Sequence, residues 1–206
     1  MTQTAWDQRY DTPGYLFGLE PSAFLVAQRH RLARGMEVLA VADGEGRNGV
    51  WLAAQGMTVH AVDGSAVALR KAARLARDRG VSLRATRADL VTWDWPRAAC
   101  DAVVSIFLHL PPETRPAVNR AMARALKPGG VLILEAFHPE QRRHGTGGPS
   151  VASMLYDQAT LRADFEGLLA FDLLEDGEVA LGPGVDLDTG HDRVGHTIRL
   201  VGERMA

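Results

Sequence analysis

The chain has 206 residues, a mass of 22.3 kDa, a formal charge of −2 and a pI near 6.4. That length supports one full-sized hydrophobic core, so a single domain over 1–206 is the simplest reading. The mild acidity gives no electrostatic reason to expect nucleic acid. Cys100 is the only cysteine, which excludes an internal disulfide and a cysteine-built metal site.

No signal-like apolar segment precedes Trp6, and no apolar run approaches transmembrane length. The expectation is a cytoplasmic protein without a membrane partner, either monomer or homodimer. Residues 1–35 read as an N-terminal arm followed by a helix. In the arm, Trp6, Tyr10, Tyr15 and Phe17 alternate with Asp7, Arg9 and Asp11. Such rings can cover a sheet edge or act as a lid over a site. Pro21 is placed to open the helix carrying Phe24, Leu25, Val26 and Leu32, with Gly35 closing it.

Val38 to Ala42 is an apolar run of strand length. Asp43-Gly44-Glu45-Gly46-Arg47-Asn48-Gly49 follows, and Val50 to Ala54 continues as a helix that stops at Gly56. Thr58 to Val62 predicts a second strand, ending in Asp63. Strand, glycine turn, helix, strand and terminal acid make up a mononucleotide-binding half. Amides at the helix start face a ligand, and Asp63 can accept from two ribose hydroxyls. Gly44, Gly46 and Gly49 also satisfy a dinucleotide fingerprint, so glycine spacing alone does not choose the cofactor.

Ser65 to Arg79 reads as an amphipathic helix, and Val81 to Ala85 as a strand with Asp89-Leu90 beyond its tip. Asp101 to Phe107 predicts a central strand, Glu113 to Leu126 a helix, and Lys127-Pro128-Gly129-Gly130 a stop and turn. Val131 to Phe137 is the next buried strand. Residues 140–151 are polar and glycine-rich, the pattern of a mobile loop. Asp157 to Leu169 reads as a helix, and residues 138–169 as a substrate-side loop and helix. Phe171 to Leu181 and His196 to Val201 read as two strands joined by glycine-rich segments over 182–190. The expected fold is α/β: a doubly wound, seven-stranded, mostly parallel sheet ending in an antiparallel hairpin.

Taken together these residues resemble a class I S-adenosylmethionine-dependent methyltransferase, closest to the small tellurite-resistance-type branch. The glycine motif falls on Ala40 to Gly46, with Arg47-Asn48 following. The ribose acid falls on Asp63, the adenine-side acid on Asp89 with Leu90, and the post-strand motif on Ser105 to Pro111. Leu126 to Gly130 and the opening Trp6-Asp7-x-Arg9-Tyr10 also match. Two departures stand out: Ala40 where many members have an acid, and Ala42 where they have glycine. The resemblance implies S-adenosyl-L-methionine as cofactor, held by Ala42, Asp43, Gly44, Gly46, Asn48, Asp63, Gly64, Ser65, Asp89, Leu90 and Ser105. It also implies a small-molecule acceptor, such as a chalcogen oxyanion or a small thiol.

Methyl transfer from a sulfonium is an in-line displacement that needs the nucleophile about 3–3.5 Å from the methyl carbon. No covalent nucleophile from the protein is required, and a base matters only for a protonated acceptor. His109 and His138, each just after a strand, are the candidate proton acceptors. Tyr10, Tyr15 and Phe17 are the candidate covers for the methyl site, and Arg47 a candidate anion anchor. A metal pair of His138 and His144 finds no companion ligands in sequence, so no metal site is expected. The non-enzymatic alternative is a cofactor-binding structural or regulatory protein; another is a methyltransferase of nucleic acid or protein.

Overall fold

The computed structural model describes residues 3–181 and 194–206, with side chains from residue 5. In chain order the helices are α1 (Gln3–Tyr10), α2 (Ala23–Ala27), α3 (Arg47–Ala54), α4 (Ala66–Asp78), α5 (Arg115–Ala125) and α6 (Gln158–Phe165). The strands are β1 (Glu37–Val41), β2 (Thr58–Asp63), β3 (Arg84–Arg87), β4 (Cys100–Ile106), β5 (Leu126–Phe137), β6 (Leu169–Ala180) and β7 (Val194–Arg204). The sheet order is β3-β2-β1-β4-β5-β7-β6. The predicted seven-stranded, mostly parallel α/β sheet is therefore present. Contacts divide the described residues into two compact units, one up to Asp94 and one from Trp95 onward.

In unit one β1 pairs in parallel with β2, and β2 with β3. Val38, Leu39, Ala40 and Val41 of β1 are buried, the continuous apolar pattern of a strand covered on both faces. Helix α4 turns Ala68, Lys71, Ala72, Leu75 and Ala76 inward, at helical spacing. Its start is capped by Ser65, whose side chain accepts from the Ala68 amide. The first helix differs from expectation. Ser22, not Pro21, caps α2, its side chain accepting from the Leu25 amide, and α2 ends at Ala27. A 3₁₀ turn, Arg29–Arg31, follows before Leu32. Strand β3 starts later than predicted, which leaves Asp89 two residues beyond its end.

In unit two β4 and β5 are parallel, while β7 runs antiparallel to both β5 and β6. β7 is thus the one reversed strand of the four. The segment 127–130 is no turn between elements. Helix α5 does stop there, but Leu126 already pairs with Cys100, and the ladder resumes at Ala102 and Val131. The four intervening residues bulge out of a continuous strand, with Gly129 at φ +77°. The predicted loose loop is also partly ordered. Pro139–Arg143 forms a 3₁₀ turn, and buried Gln141 ties it down by donating to Thr146 and Gly147 while accepting from the His196 amide. The glycine-rich connection expected over 182–190 lies outside the described residues.

Candidate functional site

The site in unit one is built at the C-terminal ends of β1 and β2. The chain leaves β1 through Ala42, at φ +51°, into a turn where Gly44 and Gly46 have φ of +58° and +88°. Glycine adopts such angles freely; alanine does so at a cost of about 1–2 kcal/mol. A side chain at Gly46 would press on Ala72 of α4, so this glycine allows α3 and α4 to approach closely. Gly44 has the Tyr10 hydroxyl above it, 2.8 Å from where a Cβ would stand.

Two carboxylates flank this turn. Asp63 Oδ2 accepts from the Gly44 amide (2.9 Å) and its Oδ1 from the Ser65 amide (2.8 Å). Burial nevertheless raises its pKa. Asp43 Oδ1 accepts from the Gly49 amide of α3 (3.0 Å), whereas its buried Oδ2 has no hydrogen-bond partner. Burial pushes the Asp43 carboxyl up to about 7, opposed by the Gly49 amide and raised further by Asp63. A carboxylate oxygen buried without a partner leaves an electrostatic demand for a cation or a proton.

The arm closes over this turn. Tyr10 is 6% exposed, stacked on Trp6 at 5.4 Å and edge-on to Phe17 at 6.2 Å. Burial raises the pKa of its hydroxyl, and the charges of Asp63 and Glu45 add to that. Asp7 Oδ1 accepts from the Ser65 hydroxyl (2.6 Å) and the Val67 amide (3.1 Å), docking α1 on the first turn of α4. Glu45 accepts from the Leu16 amide and pairs with Lys71 Nζ (2.7 Å). Lys71 also donates to Thr12 Oγ1 and the Gly14 carbonyl. These two residues were not singled out from the sequence. A lone lysine on the otherwise apolar face of α4 was the available signal.

Several candidates have other engagements. Asn48 accepts from the Ser22 amide and holds the start of α2. Tyr15 lies against Val50, Leu75 and Ala76, its hydroxyl donating to the Lys71 carbonyl, so it braces α4. Arg47 reaches the Glu20 carbonyl (3.5 Å). The Gly64 carbonyl accepts from Arg87. Asp89 is exposed, one oxygen accepting from the Val91 amide, while Leu90 is buried; the Ala88 amide ties this segment to the Asp63 carbonyl.

Unit two carries Ser105, buried in β4, and the two histidines. Phe107 follows β4 at φ +60°, a strained angle for a bulky residue. His109 holds that strain in place. Its Nδ1 lies 3.0 Å from the Phe107 carbonyl, and its Nε2 accepts from the Phe137 amide at 2.9 Å. The two bonds require the neutral ring with its proton on Nδ1. Desolvation lowers its pKa to about 4, against a smaller opposing effect of the Phe107 carbonyl. Phe137 stacks on the ring at 5.5 Å, and buried Tyr156 lies at 5.4 Å with its hydroxyl accepting from the Leu110 amide. Both nitrogens of His109 are thus engaged with backbone, an arrangement that fixes geometry rather than one that exchanges protons. His138 turns the other way, towards β7, stacked on His196 at 4.7 Å.

Comparison with known proteins agrees with this architecture. The family model for a methyltransferase domain matches residues 38–130. No curated protein matches the sequence. Among solved structures, a SAM-dependent methyltransferase from Methanosarcina mazei aligns with TM-score 0.69 and 17% identity, covering 91% of this chain and 99% of that one. TehB from Haemophilus influenzae gives 0.70 and 16%, over 89% of this chain and 61% of that one. A structure described by the conversion of a disulfide bond into a thioacetal group during echinomycin biosynthesis gives 0.79 and 19%, over 98% and 92%. At these identities the structures speak for the fold. The matched stretch is similar to a methyltransferase domain, and S-adenosyl-L-methionine is the cofactor that such a domain implies. Among the described residues no helix is long and apolar enough to cross a membrane.

Proposed function

We propose that this chain transfers the methyl group of S-adenosyl-L-methionine to a small-molecule acceptor, with the donor held at the Asp43–Gly44–Asp63 turn. The observation that carries the reading is the charge of that turn. Asp43 and Asp63 are both buried, both have raised pKa values, and Asp43 Oδ2 lacks a partner. A ligand bearing a sulfonium and an ammonium relieves this charge, whereas the diphosphate of a nicotinamide cofactor adds to it. When bound, the group supplies an activated methyl on a sulfonium.

The chain's own residues then have distinct tasks. Asp43 meets the cationic end and takes up part of the work of the acid that Ala40 lacks. Asp63 exchanges a backbone amide for ribose hydroxyls, and Asp89 accepts from the adenine amino group, with Leu90 and Gly64 beside them. Of the three candidate rings, Tyr10, through its hydroxyl above Gly44, is the one that covers the turn and excludes water. In unit two His109 is a positioning residue for the strained turn after β4.

The acceptor is a small chalcogen oxyanion or thiol. The resemblance to the tellurite-resistance-type branch supports this, as does a neighbour described by disulfide chemistry. Such a nucleophile needs little proton removal at neutral pH, in keeping with a His109 whose nitrogens are both engaged. The same scaffold serves other acceptors, so the assignment belongs to experiment.

Parallel calorimetric titrations with S-adenosylmethionine, its demethylated product and NAD test the donor. Binding of the first two alone is expected; binding of NAD alone would overturn the reading. A labelled-methyl screen over tellurite, selenite, small thiols and amines then tests the acceptor. Tight donor binding with no transfer to any of them would favour a non-catalytic cofactor-binding protein.

A further inference from the structure

In unit two, three neighbouring strands bring imidazoles and carboxylates into one row. His196 of β7 stands opposite Glu178 of β6, and Asp176 lies two residues along β6 on the same face. On the other side the His138 amide, just past β5, donates to the His196 carbonyl (3.0 Å). His196 Nε2 is 3.2 Å from Asp176 Oδ1, and His138 Nε2 is 4.0 Å from the same oxygen. One ligand atom from each of these three residues lies within 4.8 Å of the others. The sequence places His138 and Asp176 far apart and in different elements. The register of β7 supplies the companions that His138 lacked in sequence.

We propose that His138, His196 and Asp176 form a site for one divalent first-row transition-metal ion. An ion about 2.0–2.1 Å from each ligand atom needs those atoms roughly 3.3 Å apart in a tetrahedral set. The His196–Asp176 pair, at 3.2 Å, meets that separation, while His138 Nε2, 4.0 Å from the same oxygen, has to move closer on binding. Supports for the ligands are already in place. Gln158 Nε2 donates to Asp176 Oδ2 (2.8 Å), which turns Oδ1 towards the rings. The His196 backbone is fixed by buried Gln141. Glu178, whose Oε1 lies 3.6 Å from His144 Nε2, adds negative charge nearby, as do Asp157 and Glu140 beside His138. Two imidazoles with one carboxylate favour zinc, cobalt or nickel over magnesium or calcium, and leave positions for water or a second ligand.

Binding carries a structural signature. His138 Nδ1 now accepts from the Glu140 amide (3.2 Å) and caps the 3₁₀ turn Pro139–Arg143. Coordination through Nε2 places the ring proton on Nδ1, which then donates instead of accepting. The Glu140 amide loses that partner, so metal uptake loosens the start of this turn.

The test is a titration of the metal-stripped full chain with Co²⁺ at a pH of about 7.5, followed by its visible d–d absorption. One equivalent is expected to bind, displaced by Zn²⁺ and not by Mg²⁺. His196→Ala and Asp176→Asn should each weaken binding by at least about tenfold. His144→Ala should leave it within about twofold, because His144 lies outside the three-ligand set. Far-UV circular dichroism checks that the variants fold. In the wild-type chain, Zn²⁺ should shift the imidazole NMR signals of His138 and His196 and not those of His30 and His60, and should speed exchange of the Glu140 amide. Absence of stoichiometric binding, full affinity in His196→Ala, or unmoved His138 and His196 signals would each overturn the proposal. None of these readouts depends on methyl transfer.

Discussion

Asp43 and Gly49 compete for one space. The Asp43 carboxylate accepts from the Gly49 amide, and a Cβ added at residue 49 would collide with Asp43 Oδ2. The third glycine of the motif is therefore required by the acid that precedes the first, not by a ligand. Gly49→Ala should destabilise the fold by about 1–3 kcal/mol through overpacking. Asp43→Ala combined with Gly49→Ala should recover most of that loss, and Asp43→Asn with Gly49→Ala should not. Denaturant unfolding of these variants, with the Asp43→Ala and Asp43→Asn single variants beside them, decides it; additive losses would mean that the two residues are independent.

Cofactor affinity should depend on pH through Asp43. Its carboxyl titrates at about 7 in the ligand-free protein, and a cationic ligand favours the ionised form. Binding below that pH must expel a proton, so affinity should rise between about pH 6 and 8 and then level off. Calorimetry in buffers of different ionisation enthalpy reads the proton release directly. Asp43→Asn should abolish both the release and the slope.

Ala42 stands at a left-handed angle where glycine is at ease. Ala42→Gly should raise stability by about 1 kcal/mol, once the extra freedom of glycine in the unfolded chain is set against the relieved strain. For a chain of this size that is a melting-temperature gain of about 2–4 °C. A lower melting temperature would show that Ala42 makes contacts worth more than its strain.

The engaged ring of His109 predicts acid sensitivity. Its folded pKa of about 4 lies below the ordinary value of 6.5, so the unfolded chain binds more protons between those limits. The contribution is complete above about pH 6.5 and is lost as pH falls through 4. His109→Ala should flatten that part of the stability profile and cost about 2–3 kcal/mol, because the Phe137 amide loses its acceptor. It should also lower transfer more than cofactor affinity. An unchanged stability profile would remove the positioning role.

The buried Glu45–Lys71 pair clamps the arm, so Lys71→Met should release it. Removing one partner leaves a buried charge, at a cost of about 3–5 kcal/mol. Limited proteolysis should then cut between Tyr10 and Gly18 in the variant and spare the parent chain. Equal resistance in both would show that α1 docks through Asp7 and the aromatic rings alone.

The motif-bearing stretch from β1 to β2 was legible because its signals are local: an apolar run, turn glycines and a terminal acid fall within one short span. Asp63 was found at its strand tip for this reason. Engagement was not legible. Asn48 resembles a ligand contact until the Ser22 amide takes its oxygen, and Tyr15 resembles a cover until it settles on α4. Whether an aromatic ring faces a turn or a helix depends on the path of an arm, and composition does not encode that path. The Leu126 to Gly130 segment misled for a related reason: proline and glycine end a helix, but a parallel partner can still recruit the residues around them. His196 and Asp176 escaped because pairing across β6 and β7 depends on register, which neither strand carries alone.

β7, the last of the seven strands in chain order, separates two strands that precede it. During synthesis β5 and β6 leave the ribosome without the strand that joins them. β6, which borders β7 alone in the sheet order, then has no ladder partner, and β5 has one bare edge. Unit two therefore cannot zip up progressively as it is made. Its final strand must enter a gap that the rest of the sheet has kept open, and chaperone demand should concentrate in that interval.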